Sequence, residues 1–367
     1  MLKSRRAVRG ALFVLVAAGL LVAMLPATVS AAPSAIKIFA QMGDCGWYGD
    51  SAGNKQTIVF LWKDADGVLK SKQTLKSRAN GSYDTACDYG EAIEPGDTIK
   101  ATIGTKTHTL TVPTLTLEAN RDSNTVSGFG PDGSTVDVSW LQVTGFYNAA
   151  NSHAVTEPTD VSGAYSHDFT GDGDMKGWDR AGVRWWNAHG DSVYLDRQVP
   201  TLQVWVGRPD GASLWGNANP GTAVAVTLED STHVVKGSVA TGADRWNHFE
   251  GDFIGYHGGR PRAIAGDYVD ATAGIGSDAA WQLPSISITA NVNTDKVSGI
   301  CRPNDGWEVD AFSNTANRYG FDAGITTGTG AFNTDLTSQM DLRHGDKVNV
   351  YCKMPSGDVS MRHITVP

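Results

Sequence analysis

The sequence predicts an all-β chain of four tandem, two-sheet antiparallel sandwiches behind an N-terminal leader. Three observations predict it: a proline period of a little over eighty residues, apolar alternation with a period of two, and no helical stripe outside the leader. Pro33, Pro113, Pro200, Pro284 and Pro367 divide the chain into segments of 80, 87, 84 and 83 residues. Each internal proline follows an apolar residue and introduces Ser/Thr, apolar, any residue, apolar: Thr114-Leu115-Thr116-Leu117, Thr201-Leu202-Gln203-Val204 and Ser285-Ile286-Ser287-Ile288. Self-similarity at a fixed period means copies of one supersecondary unit. The boundaries that follow are 1–31 for the leader and 32–113, 114–200, 201–284 and 285–367 for the sandwiches.

Between the prolines the pattern is that of strands. Ile58, Phe60 and Trp62 alternate with Val59 and Leu61; Val136, Val138 and Trp140 repeat the arrangement, as do Val224, Val226 and Leu228, then Trp307, Val309 and Ala311. Side chains two apart share one face of a strand, so each run offers an apolar face to a core. Asp64-Ala65-Asp66-Gly67, Pro131-Asp132-Gly133 and Pro209-Asp210-Gly211 supply turns. Short strands interrupted this often, in units this small, argue for sandwiches.

Two markers set the register of the copies. A glycine, one residue and an aromatic recur as Gly81-Ser82-Tyr83, Gly163-Ala164-Tyr165, Gly251-Asp252-Phe253 and Gly330-Ala331-Phe332, and an aspartate follows fourteen residues later as Asp97, Asp179, Asp267 and Asp346. Glycine precedes that aspartate except in the second copy, where Trp178 stands in its place. Gly190-Asp191 matches Gly357-Asp358, eleven residues beyond the marker in both copies, and reads as the turn between the last two strands. An apolar residue four before the marker, Ile93, Met175, Ala263 or Leu342, is expected to plug the connecting loop onto the core.

With a third element, Val126-Ser127-Gly128 near Pro131, Leu214-Trp215-Gly216 near Pro220 and Val297-Ser298-Gly299 near Pro303, the order of motifs resembles the bacterial immunoglobulin-like repeats of secreted and cell-surface proteins. The first copy departs, with only Met42-Gly43. The resemblance spans the chain after the leader and implies four tandem immunoglobulin-like β-sandwiches. Such repeats serve as spacers, adhesive tips and stalks, and share no catalytic residues that could be carried over.

The leader itself reads as a secretory signal peptide: basic Lys3, Arg5, Arg6 and Arg9, an apolar run from Ala11 to Leu25, then small residues ending at Ala31-Ala32, with cleavage expected just before Ala32 or Pro33. No second apolar stretch of membrane length follows, so the mature chain is expected to have no membrane span. The formal net charge is −9, and setting aside the four basic residues of the leader makes it −13. A chain this acidic is a poor partner for nucleic acid. The expected location is therefore extracellular, at or near the cell surface.

Four cysteines fall two by two in the first and last copies, Cys45 with Cys87 and Cys301 with Cys352. Three pairings are formally open, and pairing within a copy is the simplest. Cys352 shares a face with Val348 and Val350, so its bond to Cys301 should pin two sheets together. Of the tryptophans, Trp62, Trp140 and Trp185 fall on inward positions, whereas Trp47, Trp178, Trp186 and Trp246 fall in loops or on outward positions and are candidates for stacking on sugars. The acidic loop Asp168, Asp172, Asp174 and Asp179 is a candidate calcium site. It fails as an EF-hand, because Lys176 takes the fifth position and Val183 the twelfth. No other cofactor is expected.

Catalysis is not expected. There is no Gly-x-Ser-x-Gly, His-Glu-x-x-His or phosphate loop, and adjacent acids such as Glu229-Asp230 diverge to opposite faces of a strand. Proline joints without Gly/Ser linkers should be stiff, so four modules in line would make a rod on the order of 150 Å. The function expected is a secreted, rod-like structural or adhesive element whose partner is a cell-surface glycan or protein. The alternatives are a glycan-binding array and a self-associating head-to-tail filament.

Overall fold

The structure, a computed structural model, describes residues 36–50, 54–86, 91–145, 148–208, 210–245, 247–276, 280–313 and 318–367. The expected signal peptide, Cys87 and Trp246 lie outside the described residues. Among those described there are 28 strands and no helix, so the chain is all-β as its alternation predicts.

The strands form four consecutive sets of seven. In the first module β1 (Phe39–Gln41), β2 (Trp47–Asp50) and β5 (Ser82–Asp84) make one layer, and β3 (Thr57–Lys63), β4 (Leu69–Lys76), β6 (Thr98–Ile103) and β7 (Lys106–Thr111) the other. The second divides likewise into β8 (Glu118–Asn120), β9 (Thr125–Phe129) and β12 (Ala164–Asp168) against β10 (Thr135–Thr144), β11 (Asn148–Pro158), β13 (Arg180–Trp186) and β14 (Ser192–Gln198). The third has β15 (Thr201–Trp205), β16 (Ser213–Asn217) and β19 (His248–Asp252), then β17 (Ala223–Glu229), β18 (Val235–Gly242), β20 (Tyr268–Ala273) and β21 (Ala280–Gln282). The fourth has β22 (Ser287–Asn291), β23 (Lys296–Ile300) and β26 (Ala331–Asp335), then β24 (Gly306–Phe312), β25 (Tyr319–Ile325), β27 (Lys347–Lys353) and β28 (Val359–Thr365).

Modules do not follow one another in line. The three-strand layer of the first is continuous with the four-strand layer of the second, in one seven-stranded sheet ordered β11-β10-β13-β14-β1-β2-β5. The third and fourth repeat the arrangement as β19-β16-β15-β28-β27-β24-β25. Both seams are parallel, β1 with β14 and β15 with β28, whereas every other strand pair is antiparallel among the described residues. The apolar interior divides the same way: one cluster runs from Ile36 to Val199 and another from Leu202 to Val366. The expected rod of four units in line is thus corrected to two side-by-side pairs that meet at Pro200.

Local chemistry explains why the markers recur. Tyr83 lies across Gly49 and donates its hydroxyl to Lys37 O at 2.6 Å, and Tyr165 lies across Gly128 and donates to Thr116 O at 2.7 Å. A Cβ on either glycine would collide with the ring. In the third module the ring over Gly216 is Phe249, with Asn247 holding the left-handed turn at φ 73°, so Phe249 and not Phe253 is the equivalent aromatic. The fourteen-residue spacing misled because four extra residues follow Phe249.

The marker aspartates are all buried. Asp97 accepts from the indole of Trp62 at 2.8 Å and from Glu94 N at 3.0 Å; Asp179 accepts from the indole of Trp140 at 3.1 Å and from Lys176 N at 2.9 Å. They clip the connecting loop to the core, and Ile93, Met175, Ala263 and Leu342 are buried beneath it. Cys301 and Cys352 are bonded, with Cα atoms 5.5 Å apart, and join the two layers of the fourth module.

Candidate functional site

The seams are the most elaborate sites in the molecule. At the first, Phe39, Ala40 and Gln41 run beside Ser192, Val193 and Tyr194, and the ladder extends through Ser192 N to Ile38 O at 3.1 Å and Met42 N to Tyr194 O at 2.8 Å. Asp191, fully buried in the turn before β14, accepts from Ile38 N at 2.8 Å, from Asn187 Nδ2 at 2.7 Å and lies 2.7 Å from His108 Nε2. At the second seam Asp358 takes the same place. It accepts from Leu202 N at 2.6 Å and Ser356 Oγ at 2.8 Å, and from both terminal nitrogens of Arg121 at 3.2 and 2.8 Å.

Arg121 belongs to the second module, so this second seam also fastens the first pair to the second. Around it the backbones close in: Gly177 N donates to Ser356 O at 2.8 Å, and a Cβ on Gly357 would sit 1.8 Å from Gly177 O. Trp178 holds φ 72°, a region that costs a residue with a Cβ about 1–3 kcal/mol, and packs against Tyr351, Val359 and Met361. Lys353 crosses from the fourth module to Val143 O at 2.7 Å, and burial pushes its ammonium down to about 8. Burial pushes the carboxyl of Asp179, which faces it, above the usual carboxylate range.

The outer face of the first fused sheet stays open. Tyr48, Phe39 and Trp186 form a row across it, with ring centroids 5.3 and 6.0 Å apart. Ser192 between β1 and β13 is short enough to let Phe39 and Trp186 meet. Trp186 donates to Asp137 at 2.8 Å, and the Arg184 guanidinium lies 5.5 Å from its ring and 5.0 Å from that of Tyr194.

Of the described tryptophans expected to meet sugars, Trp186 is the one left on an open face, at 37% exposure. Trp47 is corrected to a core residue: alternation with Gly49 along β2 turns it inward, edge-on to Phe60 and Trp62 at 5.6 and 5.7 Å. Trp178 is corrected from a loop platform to a docking residue packed on the second fused sheet, at the opposite end of β13 from Trp186. In the acidic loop, Asp168 caps Thr170 N at 2.8 Å, Asp172 pairs with His153 at 3.2 Å, and Asp174 is exposed. Among the described residues no three His, Cys, Asp or Glu side chains converge on a point that could hold a metal ion.

The residues that sequence reasoning missed are Asp191, Asp358, His108 and Arg121. A signal existed: the second and fourth copies carry Gly-Asp in their last turn, while the first and third have Gly104-Thr105 and Gly276-Ser277.

No family profile and no curated protein matches the chain. Among solved structures, it is similar to a tetra-tandem repeat in the extending region of a large adhesion protein, at 15% identity over 91% of this chain and 100% of that one, TM-score 0.17. It is also similar to the BSP domain of a biofilm-associated protein, at 8% identity over 93% and 99%, TM-score 0.18. A third is the FN1–FN3 domains of chicken CNTN1, at 8% identity over 91% and 98%, TM-score 0.20. At such TM-scores the likeness carries no argument about module arrangement or function. No described helix is long and apolar enough to cross a membrane.

Proposed function

We propose that the chain is an exported, non-catalytic structural and adhesive element built to carry tension. The observation that carries this reading is the pair of parallel seams. Force entering at the start of β1 leaves the first pair through the end of β14, and in a parallel ladder those two points lie at opposite ends. The ladder is then loaded in shear, with all its hydrogen bonds strained together instead of one after another. Two residues, Val199 and Pro200, separate β14 from β15, and β28 closes the second ladder in the same sense. Load therefore runs through β1, β14, β15 and β28. The buried acids support a non-catalytic role, since both oxygens of Asp179, Asp191 and Asp358 and the Oδ2 of Asp97 are engaged by structural donors.

The adhesive part of the reading rests on the open aromatic row at Tyr48, Phe39 and Trp186, suited to a glycan or protein surface. A head-to-tail filament that repeated the internal docking is disfavoured. Val292 stands seven residues before Gly299 where Arg121 stands seven before Gly128, and Gly345 stands where Trp178 does, so the last module lacks both docking side chains.

Single-molecule stretching between the ends of the chain tests the reading. Two high-force ruptures are expected, one weakened by Asp191→Ala and the other by Asp358→Ala. Extension in four single-module steps, indifferent to both substitutions, would overturn it.

A further inference from the structure

We propose that a cleft over β15, β16 and β19, in the third module, binds a neutral glycan through its pyranose rings. The cleft measures about 540 Å³ and is walled by Trp205, Trp215, Arg208, Glu250 and Asp252. Strand register builds it. Trp215 pairs with Glu250, Ser213 with Asp252 and Gln203 with Trp215, so alternation sets these side chains and Trp205 on the outer face of the second fused sheet. Ser213, the shortest of them, leaves the dip in the surface.

The aromatic walls are braced from the side. Trp215 directs its indole nitrogen at Met361 Sδ, 3.3 Å away, and Trp205 meets the rings of Tyr351 and His363 at 6.4 and 5.7 Å. Both remain half-buried, with surface left to the cleft. The Arg208 guanidinium lies 5.5 Å from the Trp205 ring and is fixed by Ser213 Oγ at 3.1 Å and by Asp210. The Glu250 side chain is exposed, and its carboxylate has no hydrogen bond or ion pair among the described residues.

A pyranose has an apolar face of C–H groups and a rim of hydroxyls. Pre-oriented indoles match the face, and an unengaged carboxylate beside an immobilised guanidinium matches the rim. Rigid aromatics lose little conformational freedom on binding. Glu250, Asp252 and Asp210 outnumber Arg208 and Arg260 around the cleft, which selects against uronic or sulfated sugars.

Affinity electrophoresis of the full chain through gels containing xylan, galactomannan, mixed-linkage glucan or starch, with alginate as the anionic control, tests the proposal. Retardation by at least one neutral polymer and none by alginate is expected. Binding should weaken at least tenfold in Trp215→Ala and at least threefold in Glu250→Gln, an exposed exchange that leaves the fold intact, while Val161→Ala, in an exposed turn of the second module, binds like the unaltered chain. Free migration in every neutral gel, retardation by alginate, or binding that follows Trp186 and ignores Trp215 and Glu250 would overturn it. Stretching reads the seams and electrophoresis reads the cleft, so either proposal can fail without the other.

Discussion

The two seams share one plan and differ in one partner. Each sets the first strand of an odd module beside the last strand of the following even module, and each buries an aspartate whose Oδ1 caps the incoming backbone, at Ile38 N or at Leu202 N. The other oxygen is where they part. Asp191 meets His108 of the first module, so that seam closes upon the pair it belongs to. Asp358 meets Arg121 of the second module, in an ion pair with both side chains fully buried, so that seam also decides whether one pair stays attached to the other. A single difference in donor converts a joint within a pair into a joint between pairs.

Substitution can break that contrast at its strongest point. Arg121→Ala would leave a buried carboxylate without its cation, at a cost of about 3–5 kcal/mol. His108→Ala should cost about 1–2 kcal/mol, because Asp191 keeps Ile38 N and Asn187. Denaturant unfolding of both variants measures the gap; equal losses would mean that the two seams are energetically alike.

Trp178→Gly comes next in size. It releases left-handed strain but strips an indole from Tyr351, Val359 and Met361, for a net loss of about 1–2 kcal/mol. The loss should appear as separation of two thermal transitions, one for each pair, in calorimetry. A single unchanged transition would show that the indole contributes little to docking.

The smallest effect is one of pH. Lys353 is held at about 8 in the folded chain against 10.5 for the free side chain, so above pH 8 the unfolded chain carries a proton that the folded chain has released. Its contribution to stability is fully present above 10.5 and is lost as pH falls through 8. Melting temperature should therefore gain from this group between pH 8 and 10, and Lys353→Met should flatten that gain. The raised carboxyl of Asp179 acts in the opposite sense, with its contribution present at acid pH and lost as pH rises.

Much of each module was legible because it is written locally. Alternation at Ile58, Phe60 and Trp62 places three side chains in the core, and an aspartate fourteen residues past the aromatic marks the loop it clips in the first, second and fourth modules. The seams were not legible in this way, because Ala40 and Val193 lie more than 150 residues apart and a parallel pairing leaves no periodic trace in either strand. Trp178 shows the intermediate case. Its departure from glycine was visible in the sequence, but only the surface of the fourth module beneath it explains why a strained backbone is tolerated there. The cleft at Trp205 and Trp215 was hidden for another reason: both tryptophans lie in strands, and register alone reveals that they share a face.

The proposed path of load also implies where the sequence is at liberty to change. Everything between β2 and β13, and again between β16 and β27, returns to its own seam as a closed excursion. Loops on these excursions, such as the turn carrying the almost fully exposed Tyr256, can lengthen, acquire inserted chain or exchange one recognition surface for another while the tensile line stays as it is. Phe39 on β1 and Trp205 on β15 set part of each proposed recognition face on the tensile strands themselves, so it is the loops of the excursions that are free to vary independently of strength.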